Sequence, residues 1–310
     1  MGFEVINGGI FTTVQDLGRY GYTHLGITNS GAMDEYAYLW SQKLLDNRNC
    51  NALEVMVGLK LKATSSTQIA VTGADLSFKI NGEKKRIWQT YYIKSGDILS
   101  FDKRVSGQRA YLAVKEGFNV NKKYGSYSTT LKENIGFRLS RGVFLPFVYY
   151  PQKYTKRVKK EYIPKYNNSL TLRVLLSYQH NYFNQKEKKK FFSSDYEITL
   201  QSDRMGYNLK GNIITPSQEG IISEAIAFGS IQIPKDGQPI ILLKERQTIG
   251  GYPKIGTILP IDCFKLTQLS IGSKIRFEEI EIEEAQKRMT SFSLLLNATH
   301  NYMDKGTQKE

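Results

Sequence analysis

Along most of the chain, polar and apolar positions alternate in runs of four to seven residues, broken by glycine-bearing turns. Period-two runs of this length predict half-buried strands. Residues 3–6 and 11–14 predict the first two, separated by Gly8-Gly9. Residues 20–33 form a glycine-rich loop with no period, holding His24, Ser30, Gly31 and Met33. Ala37, Trp40, Leu44 and Leu45 then recur at helical spacing, with Asp34 where a cap belongs, so residues 35–46 predict an amphipathic helix. From Leu53 the period returns to two. Strands are predicted at 53–56, 59–63, 68–72, 76–80, 87–93, 98–101 and 109–114, and Asn81-Gly82 gives the sharpest hairpin signal. Many short strands at this spacing predict an antiparallel barrel or sandwich.

Residues 121–150 are looser, and 151–168 are charged and polar, with Pro151 and Pro164. The second stretch reads as a linker. It divides an N-terminal lobe (1–165) from a second β block (169–282), with strands at 170–176, 196–200 and 273–282. Two further strand-like runs, 225–233 and 239–243, lie between polar segments. Residues 283–296 predict a terminal helix and 300–310 a frayed polar tail.

Composition adds direction. With 310 residues and 40% hydrophobic content, the chain is long enough for two cores, and its 20 Tyr favour β structure. The formal net charge of +14 suits an acidic partner protein. The lysine clusters at 153–160 and 186–190 read as loops, the second with a short helix as its other reading, and no RNA-binding aromatic strand or zinc-finger spacing accompanies them. Nucleic acid is therefore not the expected partner. Cys50 and Cys263 are too few for a disulfide scaffold and read as free thiols in a reducing compartment. No leader-like start and no bilayer-length apolar run occur, which predicts a cytoplasmic protein with no membrane partner.

The candidate chemistry concentrates between residues 201 and 256. Asp203-Arg204-Met205-Gly206-Tyr207 follows a predicted strand, placing an acid beside an arginine; the alternative is a turn with a surface ion pair. Gln247-Thr248-Ile249-Gly250-Gly251-Tyr252-Pro253-Lys254 carries paired glycines that admit close backbone approach, a stacking ring and a point charge suited to an oxyanion; the alternative is a plain hairpin. Asp16 and Arg19 read either as a ligand-positioning pair or as an exposed turn pair. Ser30-Gly31-Ala32-Met33-Asp34 reads equally as an anion-binding helix start or as simple capping. The three histidines have no metal-ligand spacing, so no metal is expected. There is no phosphate-binding P-loop signature and no Ala-Met-Lys-Met-like segment to carry biotin.

Taken in order, Thr12–Arg19, Ser30–Asp34, Gly73-Ala74-Asp75, Ser202–Tyr207, Pro234–Pro239, Arg246-Gln247-Thr248 and Gly250–Lys254 resemble the allophanate hydrolase subunit 2, or biotin-dependent carboxyltransferase-like, family, of which the C subunit of bacterial 5-oxoprolinase is a free-standing member. The resemblance covers roughly residues 5–280. It implies a mainly β fold of two cyclophilin-like β-barrel lobes with a cleft between them. It also implies a 5-oxoprolinase hetero-oligomer, in which a tightly bound B subunit joins this chain, and an A subunit is the third member. That assembly opens 5-oxo-L-proline to L-glutamate, with ATP as co-substrate. Other members are described as antagonists of a kinase inhibitor, and the module within urea carboxylase moves a carboxyl group from biotin to urea. On the matched positions the expected catalytic residues are Asp34, Asp203, Arg204 and Lys254. The expected substrate-binding residues are Asp16, Arg19, Ser30, Gly31, Met33, Tyr207, Gln247, Thr248, Gly250, Gly251 and Tyr252. The chain departs from the family pattern at Tyr127, where an arginine is common, and at Ser177-Tyr178, where Gly-Pro is common.

Overall fold

A computed structural model describes residues 1–218, 220–298 and 303–305. The chain forms two compact units. The first comprises residues 1–20 and 30–166 together with the described residues from 296 on; the second comprises Gly21–Asn29 and Asn167–Leu295. The mainly β class expected from the alternating pattern is what folds.

In the first unit, two antiparallel sheets of six and seven strands bury one core. Gly2–Gly8, Leu59–Ala63, Phe78–Ile80 and Ile98–Phe101 contribute Phe3, Val5, Leu61, Phe78, Leu99 and Phe101. Thr12–Gln15, Ala52–Val55, Thr67–Asp75 and Ser106–Val114 contribute Val14, Leu53, Val55, Val71 and Leu112. Alternate residues face inward, as period two requires. Leu59–Ala63 shows this directly, its burial alternating with Lys60 and Lys62 exposed. The Asn81-Gly82 hairpin forms as expected, with φ of 54° and 82° at its two central residues, the pairing that matches strand twist. The helix runs Glu35–Leu44 and packs on Thr67–Asp75 and Ser106–Val114 through Ala37, Tyr38, Trp40 and Leu44. Asp34 caps it, accepting the Ala37 N–H at 3.0 Å.

The charged stretch expected as a loop contributes a strand, Lys156–Val158, paired with Gln89–Ile93 on one side and with Met303–Lys305 on the other. Backbone pairing along a sheet edge tolerates outward lysines, so charge masked the strand. The same pairing puts part of the expected polar tail into a sheet; residues 300–302 and 306–310 lie outside the described residues. The second lysine cluster lies on a helix, Gln185–Ser193, rather than a loop.

The second unit is a closed seven-stranded barrel. Its order is Ser169–Leu176, Lys254–Ile258, Ser230–Gln232, Ile240–Leu242, Gly206–Lys210, Tyr196–Ile198 and Lys274–Glu279. Parallel pairing of the first and last strands, Ser169 to Lys274 through Val174 to Glu279, closes it and removes free edges. Leu172, Val174, Ile231, Ile241, Ile255 and Ile275 fill the interior. Closure crowds backbones at Gly256, where a Cβ would lie 2.3 Å from Val174 Cγ1. The terminal helix runs Ile282–Asn297. A further helix, Pro260–Leu266, has no sequence expectation behind it; it is too short for a visible period, and proline at its start is its one local sign.

That helix carries Asp262, which the Arg173 guanidinium grips through Nε at 2.8 Å and a terminal nitrogen at 2.5 Å, while the Arg173 N–H donates to it at 3.1 Å. Asp262 is 3% exposed. Removing one partner of a buried pair strands the other. Asp262→Ala is therefore expected to destabilise the second unit by about 3 kcal/mol in urea unfolding; a change below about 0.5 kcal/mol would show the grip to be idle.

Candidate functional site

In the first unit, the motif residues hold one another. Thr12–Gln15 delivers Asp16, whose carboxylate accepts from Gly18 N–H at 2.8 Å, Ser126 hydroxyl at 2.6 Å, Ser128 hydroxyl at 2.5 Å and Tyr127 N–H at 2.8 Å. Arg19 is buried, 2% exposed, and donates to Thr130 hydroxyl at 2.8 Å and to the Ser128 carbonyl. Both side chains clasp the 126–130 segment, so neither reading as an exposed turn pair nor as an open anion fork describes them. Ser30, at φ 51°, donates to the Thr129 carbonyl at 3.1 Å. Gly31, at φ 106°, lies where a Cβ would be 3.0 Å from the Gly18 nitrogen, so glycine is required.

The N–H groups expected to cradle an anion before the helix are taken. Met33 donates to Glu54 Oε2 at 2.8 Å and Asp34 to the Tyr111 hydroxyl at 2.8 Å, while Tyr111 itself donates to Glu54 Oε2 at 2.7 Å. Arg109 Nε lies 3.5 Å from the other Glu54 oxygen. Burial, with the charges of Glu54 and Asp34, pushes the Tyr111 hydroxyl well above its usual pKa and keeps it a donor. Met33 is wholly buried. Asp34 caps the helix with Oδ1 and accepts the Tyr166 hydroxyl on Oδ2 at 3.1 Å. Capping is thus the role this segment fulfils.

In the second unit, Asp203 is an exposed turn residue whose Oδ1 accepts Met205 N–H at 2.7 Å. Arg204 is buried against Glu245, Nε to Oε1 2.5 Å, and Tyr207 is buried with its hydroxyl 3.4 Å from the Thr267 carbonyl. Arg246 binds the carbonyls of Ile226 at 2.9 Å and Leu243 at 3.2 Å and reaches Asn29 Oδ1 at 3.1 Å, tying the 21–29 segment to this unit.

The paired glycines have a different environment. Glu224–Ala225 pairs with Ile249–Gly250 in a two-stranded ribbon outside the barrel, extended by Ile221 N–H to the Gly251 carbonyl and Ile226 N–H to the Thr248 carbonyl. Gln247 and Thr248 lead into this ribbon and are half-buried, and Tyr252 leaves it exposed. The ribbon presents Glu224 to Lys254, and their side chains form an ion pair. Lys254 is 5% exposed, and Glu224 is its one ion-pair partner among the described residues. Gln179 joins them: its carbonyl accepts the Lys254 N–H at 2.9 Å and its amide donates to Glu224 Oε1 at 2.8 Å. The exposed Tyr178 hydroxyl donates to the other Glu224 oxygen. Gln232 stands opposite Lys254 across the barrel strands, so both side chains share a face, and its buried amide nitrogen has no partner among the described residues. A Cβ on Gly250 would lie 2.7 Å from that nitrogen.

Burial pushes the Glu224 carboxyl upward, but hydrogen bonds from Lys254, Tyr178 and Gln179 and the Lys254 charge outweigh it, so it lies below the usual carboxylate range. Tyr178 is pushed up by donating to that carboxylate. The result is a buried ammonium with donors to spare, an ionised acceptor beside it and an unpartnered amide. Such a set stabilises negative charge on an oxygen and accepts a proton or N–H. Sequence reasoning found Lys254, Gly250 and Gly251 but not Glu224 or Gln232. Gln179 surfaced only beside a departure from the family pattern. Glu224 lies on a two-residue strand with no period to betray it. Among the described residues, no group of His, Cys, Asp and Glu is arranged to hold a metal, and no helix is long and apolar enough to cross a membrane.

This β chain, in which a barrel lysine pairs with a carboxylate on a glycine ribbon, has known relatives. The profile of the family described as "Carboxyltransferase domain, subdomain A and B" matches residues 25–279, and the chain belongs to that family. It is 32% identical over 297 residues to the C subunit of 5-oxoprolinase from Haemophilus influenzae, covering 94% of this chain and 96% of that one. Against the C subunit of 5-oxoprolinase from Escherichia coli it is 32% identical, covering 92% and 93%. Urea amidolyase of Saccharomyces cerevisiae is 25% identical across 91% of the chain, which spans only 17% of that protein. The crystal structure of the K. lactis urea amidolyase superposes with a TM-score of 0.89 at 25% identity, covering all of this chain and 20% of that one.

The sign of the Glu224 shift fixes a pH dependence. A carboxyl depressed in the folded state adds stability above its unfolded pKa of about 4.3 and loses it as pH falls through the folded value. Glu224→Gln is expected to flatten the melting-temperature profile of the second unit below about pH 4.3; an unchanged acid limb would show that the pair is not formed.

Proposed function

We propose that this chain is the C subunit of an ATP-dependent 5-oxoprolinase, opening the cyclic amide of 5-oxo-L-proline to L-glutamate in company with the enzyme's A and B subunits. The observation that carries the reading is the 32% identity, along nearly the whole of both chains, to bacterial proteins bearing that name. The geometry of the second unit supports it. A lactam resists water until negative charge on its oxygen is stabilised. In this reading Lys254 supplies that stabilisation, Glu224 holds the ammonium and accepts the amide N–H, and Gln179 fixes both. Arg204, through its buried pairing with Glu245, supports the loop that leads to the glycine ribbon. Asp203 orders the turn before it, and Asp16 and Asp34 shape the first unit's loop rather than touch substrate.

A second reading, a carboxyltransferase working with a separate biotin carrier, draws on the family description and on the likeness to urea amidolyase. The purified chain, alone and with the A and B subunits, separates the two when assayed for glutamate release. ATP-dependent turnover in the complex without biotin or bicarbonate supports the first. A strict need for both supports the second, and a tight but inert complex supports a regulatory binding role. In the active complex, Lys254→Ala is expected to lower kcat by about 10²-fold or more with the fold intact; near-normal turnover removes Lys254 from the chemistry. Arg204→Ala should instead lose stability, about 3 kcal/mol, because the buried Glu245 loses its ion pair with Arg204; an intact melting temperature with lost turnover would reassign it to catalysis.

A further inference from the structure

The first unit contains a second concave site that no part of the reading above uses. It encloses about 520 Å³. One wall is the segment after the Asn81-Gly82 hairpin, which places Lys84, Lys85 and Arg86 in sequence on its lining. Ile163 and Pro164 also line it, and Ser106 adds a hydroxyl. Trp88, also on the lining, sits at φ 64°, a conformation few bulky residues adopt, held by its indole N–H to the Gly73 carbonyl at 3.1 Å.

The charges do not cancel. Asp75, also on the lining, lies 3.6 Å from Lys84, and Lys85 reaches the outward-pointing Glu83 at 2.7 Å. No described carboxylate pairs with Arg86. The strand Lys156–Val158 braces the lining at Trp88, with Val158 N–H on the Trp88 carbonyl at 3.0 Å. An arginine fork beside two swivelling ammonium groups matches several anionic oxygens spaced along a chain, more than one carboxylate would satisfy. The charges line a hollow of small-molecule size rather than a flat face.

We propose that this pocket binds a linear chain of phosphates, carried either by a nucleotide or by inorganic polyphosphate, with Arg86 as the fork and Lys84 and Lys85 as point charges along it. The pocket is built from the first unit's own residues, and its role stands or falls apart from the reaction assigned to the second. The direct test is calorimetric titration of the intact chain with sodium tripolyphosphate, ATP and orthophosphate, alongside the variant K84Q/K85Q/R86Q. These side chains stand at a hairpin end, and a melting curve for the variant confirms its fold; Arg86→Gln alone is the second variant. Saturable tripolyphosphate binding, weakened about tenfold or more in both variants, is expected, with orthophosphate much weaker. Equal affinity for ATP and tripolyphosphate assigns the phosphate chain alone, and tighter ATP binding assigns a nucleotide. Absence of saturation, equal binding by the folded triple variant, or binding of poly-L-glutamate without tripolyphosphate would overturn the proposal, the last by making the pocket a dock for an acidic protein segment.

Discussion

A lysine ammonium cannot be taken out of water without a partner, and in the second unit that constraint shapes everything around Lys254. Lys254 opens a barrel strand and is buried there. The carboxylate it needs comes from a ribbon that lies outside the barrel and exists only because Glu224–Ala225 and Ile249–Gly250 pair. At Gly250 the ribbon lies close over Gln232, a Cβ there falling 2.7 Å from the Gln232 amide nitrogen. Gln179 then bridges the backbone of Lys254 and the carboxylate of Glu224. Ammonium, carboxylate and carboxamide hold one another in place.

The first unit follows the same rule with opposite sign. Its carboxylates, Asp16 and Glu54, are held by converging donors instead of a single cation, four on Asp16 and backbone, hydroxyl and guanidinium groups around Glu54. Each closes a loop on itself. Motif residues of the first unit hold its loops in one conformation, and the set around Lys254 includes the buried Gln232 amide nitrogen, which has no partner among the described residues.

Much of this fold was legible in the sequence where local physics and tertiary demand agree. Asn81-Gly82 supplies two positive φ angles at no steric cost, and Asp34 caps the helix whose apolar stripe follows it. Leu59–Ala63 alternates because one face is wet. Legibility failed where long-range pairing decides the outcome. Lys156–Val158 is a strand because neighbouring edges accept it, whatever its charge. Pro260–Leu266 is a helix too short for a period. In the candidate site, Lys254 and the glycines stand in one recognisable run, but Glu224 and Gln232 are brought to them only by folding.

Glu224 and Lys254 act as one coupled pair beneath the ribbon, and the rest of the site depends on that coupling. A double-mutant cycle on the unfolding of the second unit, with Glu224→Gln, Lys254→Met and both together, measures it directly. A coupling free energy of about 1 kcal/mol or more is predicted. Additivity within about 0.3 kcal/mol would contradict it.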